Sequence, residues 1–261
     1  MKVVICGEFP EKAEENIFHS FPLSWEVHIV PPSGLASELS NADILIPEHV
    51  EINADLLSKA PKLKLVQTGA GYDNVDLKAC TEFGVQACNA AGVNAYAVAE
   101  HVMALILSWY KNIPYLDHFL KDRGEADQLD YTGAELYGKT IGIIGLGHVG
   151  RIVAEYCNAF HMTVLGYSHK LIEMCSVEQV DLDTLFRDSD IISLHVPLTD
   201  STRHLINAET FSKMKPDALL INTSRGGTVD EAALITALEN KDISGKTEDR
   251  KSGSAGMPRP I

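Results

Sequence analysis

The sequence predicts an α/β protein of two doubly wound parallel-sheet lobes. Short β-rich runs alternate with helical stretches through the first third of the chain, and the alternation restarts after a polar interruption. Strands separated by helices imply parallel sheets. At 261 residues, 45% hydrophobic and 22% charged, the chain lies near the size at which one core gives way to two.

In chain order, residues 3–6 form an apolar strand, 11–18 a polar helical segment, 26–30 a strand, 35–39 a short helix and 44–46 a strand. Residues 53–59 follow as a helix with Leu56 and Leu57 inward, then 63–66 as a strand running into Gln67-Thr68-Gly69-Ala70-Gly71. Val98, Val102, Leu105, Ile106 and Trp109 fall at i, i+4, i+7, i+8 and i+11, one face of a helix expected to join the lobes. Pro114 and the polar stretch 121–130 interrupt the pattern before a second βαβ series opens at Lys139. Its later strands are 162–167, 191–195 and 218–222, and no internal repeat at fixed spacing stands out.

The formal charge of -14 and pI near 5.1 argue against nucleic-acid or anionic-membrane partners, which draw their affinity from clustered Lys and Arg. A small-molecule ligand is favoured. Cys6, Cys80, Cys88, Cys157 and Cys175 form no C-x-x-C pair, so neither a disulfide framework nor a metal site is expected. The apolar run at the N-terminus is too short for a signal-peptide core or a membrane span, and a cytoplasmic protein is expected.

Gly145-Leu146-Gly147-His148-Val149-Gly150 sits between the apolar run 140–144 and a helix start at Arg151. In that context Gly145 permits a tight turn, Gly147 lets a pyrophosphate approach the backbone, and Gly150 lets helix and strand pack closely. The unpaired N–H groups and positive dipole end of the helix then favour the phosphates. A packing turn in a ligand-free lobe is the alternative. About 20 residues on, where an acidic residue would accept the ribose 2′-hydroxyl of NAD, stand Ser168, His169 and Lys170. A hydroxyl donor with two basic neighbours suits a 2′-phosphate, so the expected cofactor is NAD(P), leaning to NADP. A solvated turn in an NAD enzyme stays open.

Gly69-Ala70-Gly71-Tyr72-Asp73-Asn74-Val75-Asp76, Ala97-Val98-Ala99-Glu100-His101, the glycine motif, His195-Val196-Pro197-Leu198-Thr199 and Asn222-Thr223-Ser224-Arg225-Gly226-Gly227 occur in this order. Together they resemble the D-isomer-specific 2-hydroxyacid dehydrogenases, over residues 1–245. Ala91 departs from the family, which often has proline there. The resemblance implies a flavodoxin-like substrate lobe (1–98) and a Rossmann cofactor lobe (99–245). It also implies a small 2-hydroxy or 2-keto acid as substrate, held through its carboxylate by the backbone of Gly69, Ala70 and Gly71 and by Arg225, the expected catalytic residue. His195, as a structural or cofactor-lining residue without a catalytic role, Pro197 and Thr223 are expected to border the cofactor, and His101 is expected to be a packing or interface histidine. The loop Pro47-Glu48-His49-Val50 faces the substrate's side chain, and a homodimer is expected.

The family's general acid/base histidine and its glutamate partner lie beyond the position of Gly245. All ten histidines of this sequence stand at or before His204, and Ser254 falls where the glutamate belongs. The sequence therefore leads us to expect a chain truncated or frameshifted after Gly245, inactive or impaired, with 246–261 an aberrant, disordered tail. A natural short form, or an artefact, would leave the same pattern. A non-catalytic NAD(P)-binding regulator or dimerisation partner is the alternative function.

Overall fold

A computed structural model of the chain describes residues 1–48, 50–123 and 133–248. The chain divides into two compact units, Met1–Val93 and Asn94–Ile261.

The first unit runs β1 (Lys2–Cys6), α1 (Glu11–His19), β2 (Glu26–Val30), α2 (Leu35–Glu38), β3 (Ile44–Pro47), α3 (Ala54–Ser58), β4 (Leu65–Thr68), α4 (Leu77–Glu82) and β5 (Gln86–Asn89). Its five strands lie in the order β2-β1-β3-β4-β5, all parallel. That is the flavodoxin-like order, with its switch point between β1 and β3. Val4, Cys6, Leu45 and Val66 are fully buried at its centre, which is why the central strands are continuous apolar runs. The edge strand β5 carries Gln86, Ala87 and Cys88 exposed. It owes its place to its ladder with β4, and no apolar pattern announces it.

The second unit runs α5 (Ala95–Tyr110), α6 (Ile113–Arg123), β6 (Thr140–Ile144), α7 (His148–Ala159), β7 (Thr163–Tyr167), β8 (Glu178–Gln179), α8 (Leu182–Asp188), β9 (Ile191–Leu194), α9 (Ala208–Lys213), β10 (Leu219–Asn222), α10 (Glu231–Asn240) and β11 (Gly245–Glu248). The sheet order is β11-β10-β9-β6-β7-β8, all parallel. Counted within the unit from the far edge this is 3-2-1-4-5-6, the dinucleotide-binding arrangement, with its switch point between β6 and β9.

Three expectations need correction. The tail expected to be aberrant from residue 246 begins instead as a regular strand: Leu219 pairs with Gly245 and Asn222 with Glu248. Polar residues suffice there because a sheet edge is fixed by its ladder. Ser254 lies outside the described residues.

The buried face of α5 is Ala95, Ala99, Val102, Met103 and Ile106, the expected spacing moved three residues towards the N-terminus. Two alanines, weak in hydrophobicity, let α5 pack on the turns of α7. Leu105 and Trp109 flank that face, partly buried.

The two units also share an internal correspondence, where no repeat was expected. Ile52 to Asp76 has an ungapped counterpart 154 positions later, Ile206 to Asp230. Asn53 and Asn207 cap α3 and α9, accepting from the Leu56 and Thr210 N–H groups. Asp76 and Asp230 cap α4 and α10. Isolated parallel bridges join Ile52 to Val75 and Ile206 to Val229. Asp43, before β3, accepts from the Lys2 N–H at 2.9 Å and from Lys64 Nζ at 2.7 Å. Asp190, before β9, accepts from the Thr140 N–H at 2.7 Å and from Lys215 Nζ at 2.8 Å. Both units are thus variations on one βαβ scaffold, and few identities survive to show it in the sequence.

Candidate dinucleotide site

The turn after β6 lies beside the switch point of the second sheet. Gly145 has φ +101°, and a Cβ there would stand 2.5 Å from the His195 carbonyl oxygen. A side chain is excluded on both counts. A Cβ on Gly150 would overlap the Gly145 carbonyl, so this glycine lets α7 close onto its strand. The His195 N–H donates to the Ile144 carbonyl at 2.8 Å, which ties the end of β9 to the end of β6.

The fit of a dinucleotide is tested by what surrounds the turn. Among the described residues, its chain neighbours aside, no atom lies within 4 Å of where a Cβ on Gly147 would stand. Gly147 caps α7 without a side-chain hydrogen bond, and the first turn of the helix holds no acidic residue. His148, exposed, and Val149, partly buried, open that turn. At the end of β10, Thr223 Oγ1 is buried without a hydrogen-bond partner among the described residues. An open helix terminus with an orphaned donor two strands away fits a phosphate-bearing ligand. Arg151, which the sequence reading passed over, sends its Nε to the Leu146 carbonyl at 3.1 Å and braces the loop from the helix side.

His195 lies 2.9 Å, through Nε2, from the buried Ser193 Oγ. Burial pushes its imidazole down to about 4, so it is neutral at ordinary pH. Pro197 is exposed, and its carbonyl accepts from Thr202 Oγ1 at 2.6 Å. At the end of β7, Ser168 is half-buried and His169 and Lys170 are exposed. The His169 ring packs edge-on against Tyr167, with centroids 5.8 Å apart.

Arg225 follows β10 in a loop held from within. Asn222 Oδ1 accepts from the Ser224 N–H at 3.0 Å and Ser224 Oγ at 2.8 Å, while the Arg225 carbonyl accepts from Asn222 Nδ2 at 3.0 Å and Thr228 Oγ1 at 2.7 Å. The guanidinium itself donates to the Ser224 carbonyl at 2.9 Å. Asn222 and Thr228 are buried. The motif around Arg225 drew notice in the sequence, but nothing there assigned these two the bracing role.

Gly69, Ala70 and Gly71 belong to the first unit. The carbonyls of Gly69 and Ala70 accept from the Ala90 N–H and Asn89 Nδ2, both at 2.9 Å. Neither glycine is among the described residues with positive φ, and a Cβ on Gly69 would meet no atom of the described residues within 4 Å, its chain neighbours aside. His49 lies outside the described residues. His101 is exposed on α5. Among the described residues no three His, Cys, Asp or Glu side chains gather as a metal site would need, and no helix is long and apolar enough to cross a membrane.

Residues 103–251 match the D-isomer specific 2-hydroxyacid dehydrogenase family, NAD binding domain, and the chain belongs to that family. It is 41% identical over 216 residues to the D-3-phosphoglycerate dehydrogenase of Methanocaldococcus jannaschii, covering 80% of this chain and 41% of that protein. It is 38% identical over 260 residues to the glyoxylate reductase of Thermococcus litoralis, covering 94% of this chain and 78% of the relative. The structure of Aquifex aeolicus D-lactate dehydrogenase complexed with NAD and lactic acid superposes with a TM-score of 0.86 at 31% identity, over 97% of this chain and 82% of that one. The chain thus spans about two fifths of the phosphoglycerate dehydrogenase and most of the two shorter relatives.

Proposed function

We propose that the chain is an NAD(P)-dependent oxidoreductase component that interconverts a small D-2-hydroxy acid and its 2-keto acid, the first unit serving the substrate and the second the cofactor. The observation that carries this reading is the open glycine turn at the switch point of a 3-2-1-4-5-6 sheet. When bound, the nicotinamide supplies the hydride exchanged with C2 of the acid. The residues of the chain bind and orient. The α7 N-terminus receives the pyrophosphate, Arg225 offers a planar fork to a carboxylate, and the backbone N–H groups of Gly69, Ala70 and Gly71 are assigned to the same carboxylate. Ser168, His169 and Lys170 tilt the choice to NADP, because the end of β7 offers a hydroxyl and basic groups and no carboxylate. The reading includes a homodimer, as the family resemblance implies, and a cytoplasmic setting, with which five free cysteines agree.

A second reading, binding without turnover as in a nucleotide-sensing regulator, is favoured by one observation. The Nε2 of His195, the histidine beside the glycine turn, is already engaged by the buried Ser193 Oγ at 2.9 Å, which makes it a poor partner for the hydroxyl proton. The test is to titrate the chain with NADPH and NADH by fluorescence while following reduction of glyoxylate and hydroxypyruvate. Turnover supports the oxidoreductase, binding without turnover supports the regulator, and no binding of either cofactor sinks both.

A further inference from the structure

The turn after β7 is held from outside itself. Within it, the Lys170 N–H reaches Ser168 Oγ only at 3.5 Å, the long limit of a hydrogen bond. The firm contacts come from Gln179, on the two-residue strand β8. Its Nε2 donates to the Lys170 carbonyl at 2.8 Å and stands 3.5 Å from the Ser168 carbonyl, while its Oε1 accepts from the Ile172 N–H at 2.9 Å. One planar amide therefore spans the turn from Ser168 to Ile172. The parallel ladder sets Gln179 opposite Gly166, just before the turn begins, so the short edge strand exists where this amide is needed.

We propose that Gln179 is a positioning residue for cofactor selectivity, fixing the turn that presents Ser168, His169 and Lys170 to the adenosine ribose. The inference rests on the reading of that turn as the 2′-phosphate site, and it adds the device that gives the turn one conformation. An amide is the side chain that fits. It donates at one end and accepts at the other, whereas the isosteric carboxylate keeps the Ile172 bond, loses the donor to Lys170 and adds a negative charge beside the phosphate's place. A turn left to sample several conformations binds more weakly by the fraction of time it is competent.

The test measures binding of ADP-ribose and 2′-phospho-ADP-ribose by calorimetry, with thermal unfolding of each variant as the control. Wild type binds the 2′-phosphate form more tightly. Gln179→Met lowers that preference roughly fivefold, the scale of one or two net hydrogen bonds, with its melting temperature near wild type. Gln179→Glu lowers it further. Folded variants that keep the wild-type preference overturn the proposal. A wild type without preference for the 2′-phosphate overturns the NADP reading instead, and Gln179 is then judged on ADP-ribose alone, where weakening by roughly fivefold supports it and no change overturns it. Amide exchange on the unsubstituted chain needs no variant to fold: the Ile172 N–H is protected without ligand if the Gln179 bond persists, and exchange at the rate of an open peptide overturns the proposal.

Discussion

In both units the first strand of a doubly wound sheet hands over to a helix beside the switch point, yet the two turns are shaped for different neighbours. After β6 the space at Gly147 is open and the first turn of α7 carries no acidic residue. Gly7 follows β1 as Gly145 follows β6, and at both the space for a side chain is filled, but by different atoms. A Cβ on Gly7 would stand 2.9 Å from the Phe9 ring and 3.2 Å from Glu48 Oε2, and α1 opens with Glu11 and Glu14 in its first turn. Acidic side chains there stabilise the helix dipole and repel an anion. The same architecture thus yields one helix start with acidic residues and one without, which is why fold alone does not assign the ligand. The strand-end loops diverge likewise: Gly69, Ala70 and Gly71 occupy the places that Thr223, Ser224 and Arg225 hold in the second unit.

The largest expected break in this comparison is at the glycine turn. Gly145→Ala forces a side chain onto a backbone at φ +101° and against the His195 carbonyl, a backbone neighbour that cannot swing away. We expect a loss of about 4 kcal/mol in urea unfolding and loss of cofactor binding. Gly7→Ala meets the far end of a rotatable ring instead and costs about 1 kcal/mol or less. Equal losses at the two positions would mean that the turns are not built differently.

Next in size is a pH effect confined to the second unit. The folded chain holds His195 near 4 against 6.5 for the free imidazole. Between these values the unfolded chain binds a proton that the folded chain refuses. The stability due to a neutral His195 is therefore complete above 6.5 and is lost as pH falls towards 4, by about 1.4 kcal/mol per unit. His195→Gln flattens this acid limb. Denaturant unfolding at pH 7 and pH 5 reads the difference, and parallel wild-type and variant curves would show that His195 is not the group responsible.

The paired aspartates allow a smaller and more exact comparison. Burial pushes the Asp190 carboxyl up, but hydrogen bonds from Lys215 and the Thr140 N–H outweigh it and hold the group below the usual range. The Lys64 hydrogen bond, then that of the Lys2 N–H, does the same for Asp43. Lys64 is 73% exposed and Lys215 only 35%, so water competes more with the first pairing than with the second. Asp190→Asn should cost about 2 kcal/mol, and Asp43→Asn measurably less, as read from urea midpoints.

The central strands were legible because each is buried on both faces and must be an apolar run; β1, β6, β9 and β10 could hardly be anything else. The glycine turn was legible because strand, glycines and helix follow one another without a gap. The edges were not. β5 and β11 are polar segments whose structure is a property of their neighbours' ladders, so no window of their own sequence contains it. Gln179 and Arg151 were hidden for a similar reason. Each acts by reaching a backbone carbonyl, and a backbone partner leaves no mark in the sequence. The α5 face was misplaced by three residues because alanine earns little weight in a hydrophobic pattern while it decides how closely helices approach.

The smallest expected effect separates space kept for structure from space kept for a ligand. A Cβ on Gly69 would meet no atom of the described residues within 4 Å, its chain neighbours aside, and the residue is not among those with positive φ. Neither sterics nor backbone strain therefore requires glycine, and Gly69→Ala should leave the urea midpoint within about 0.5 kcal/mol of wild type. If the loop receives a substrate carboxylate, the added methyl occupies ligand space, and 2-keto acid binding to the cofactor-loaded chain weakens by roughly tenfold at unchanged stability. A stable variant with unchanged affinity would remove the 69–71 loop from the substrate site and leave Arg225 as the single carboxylate partner. A destabilised variant would show that the loop packs against something at Gly69 after all, and the contrast with Gly145 would become one of degree.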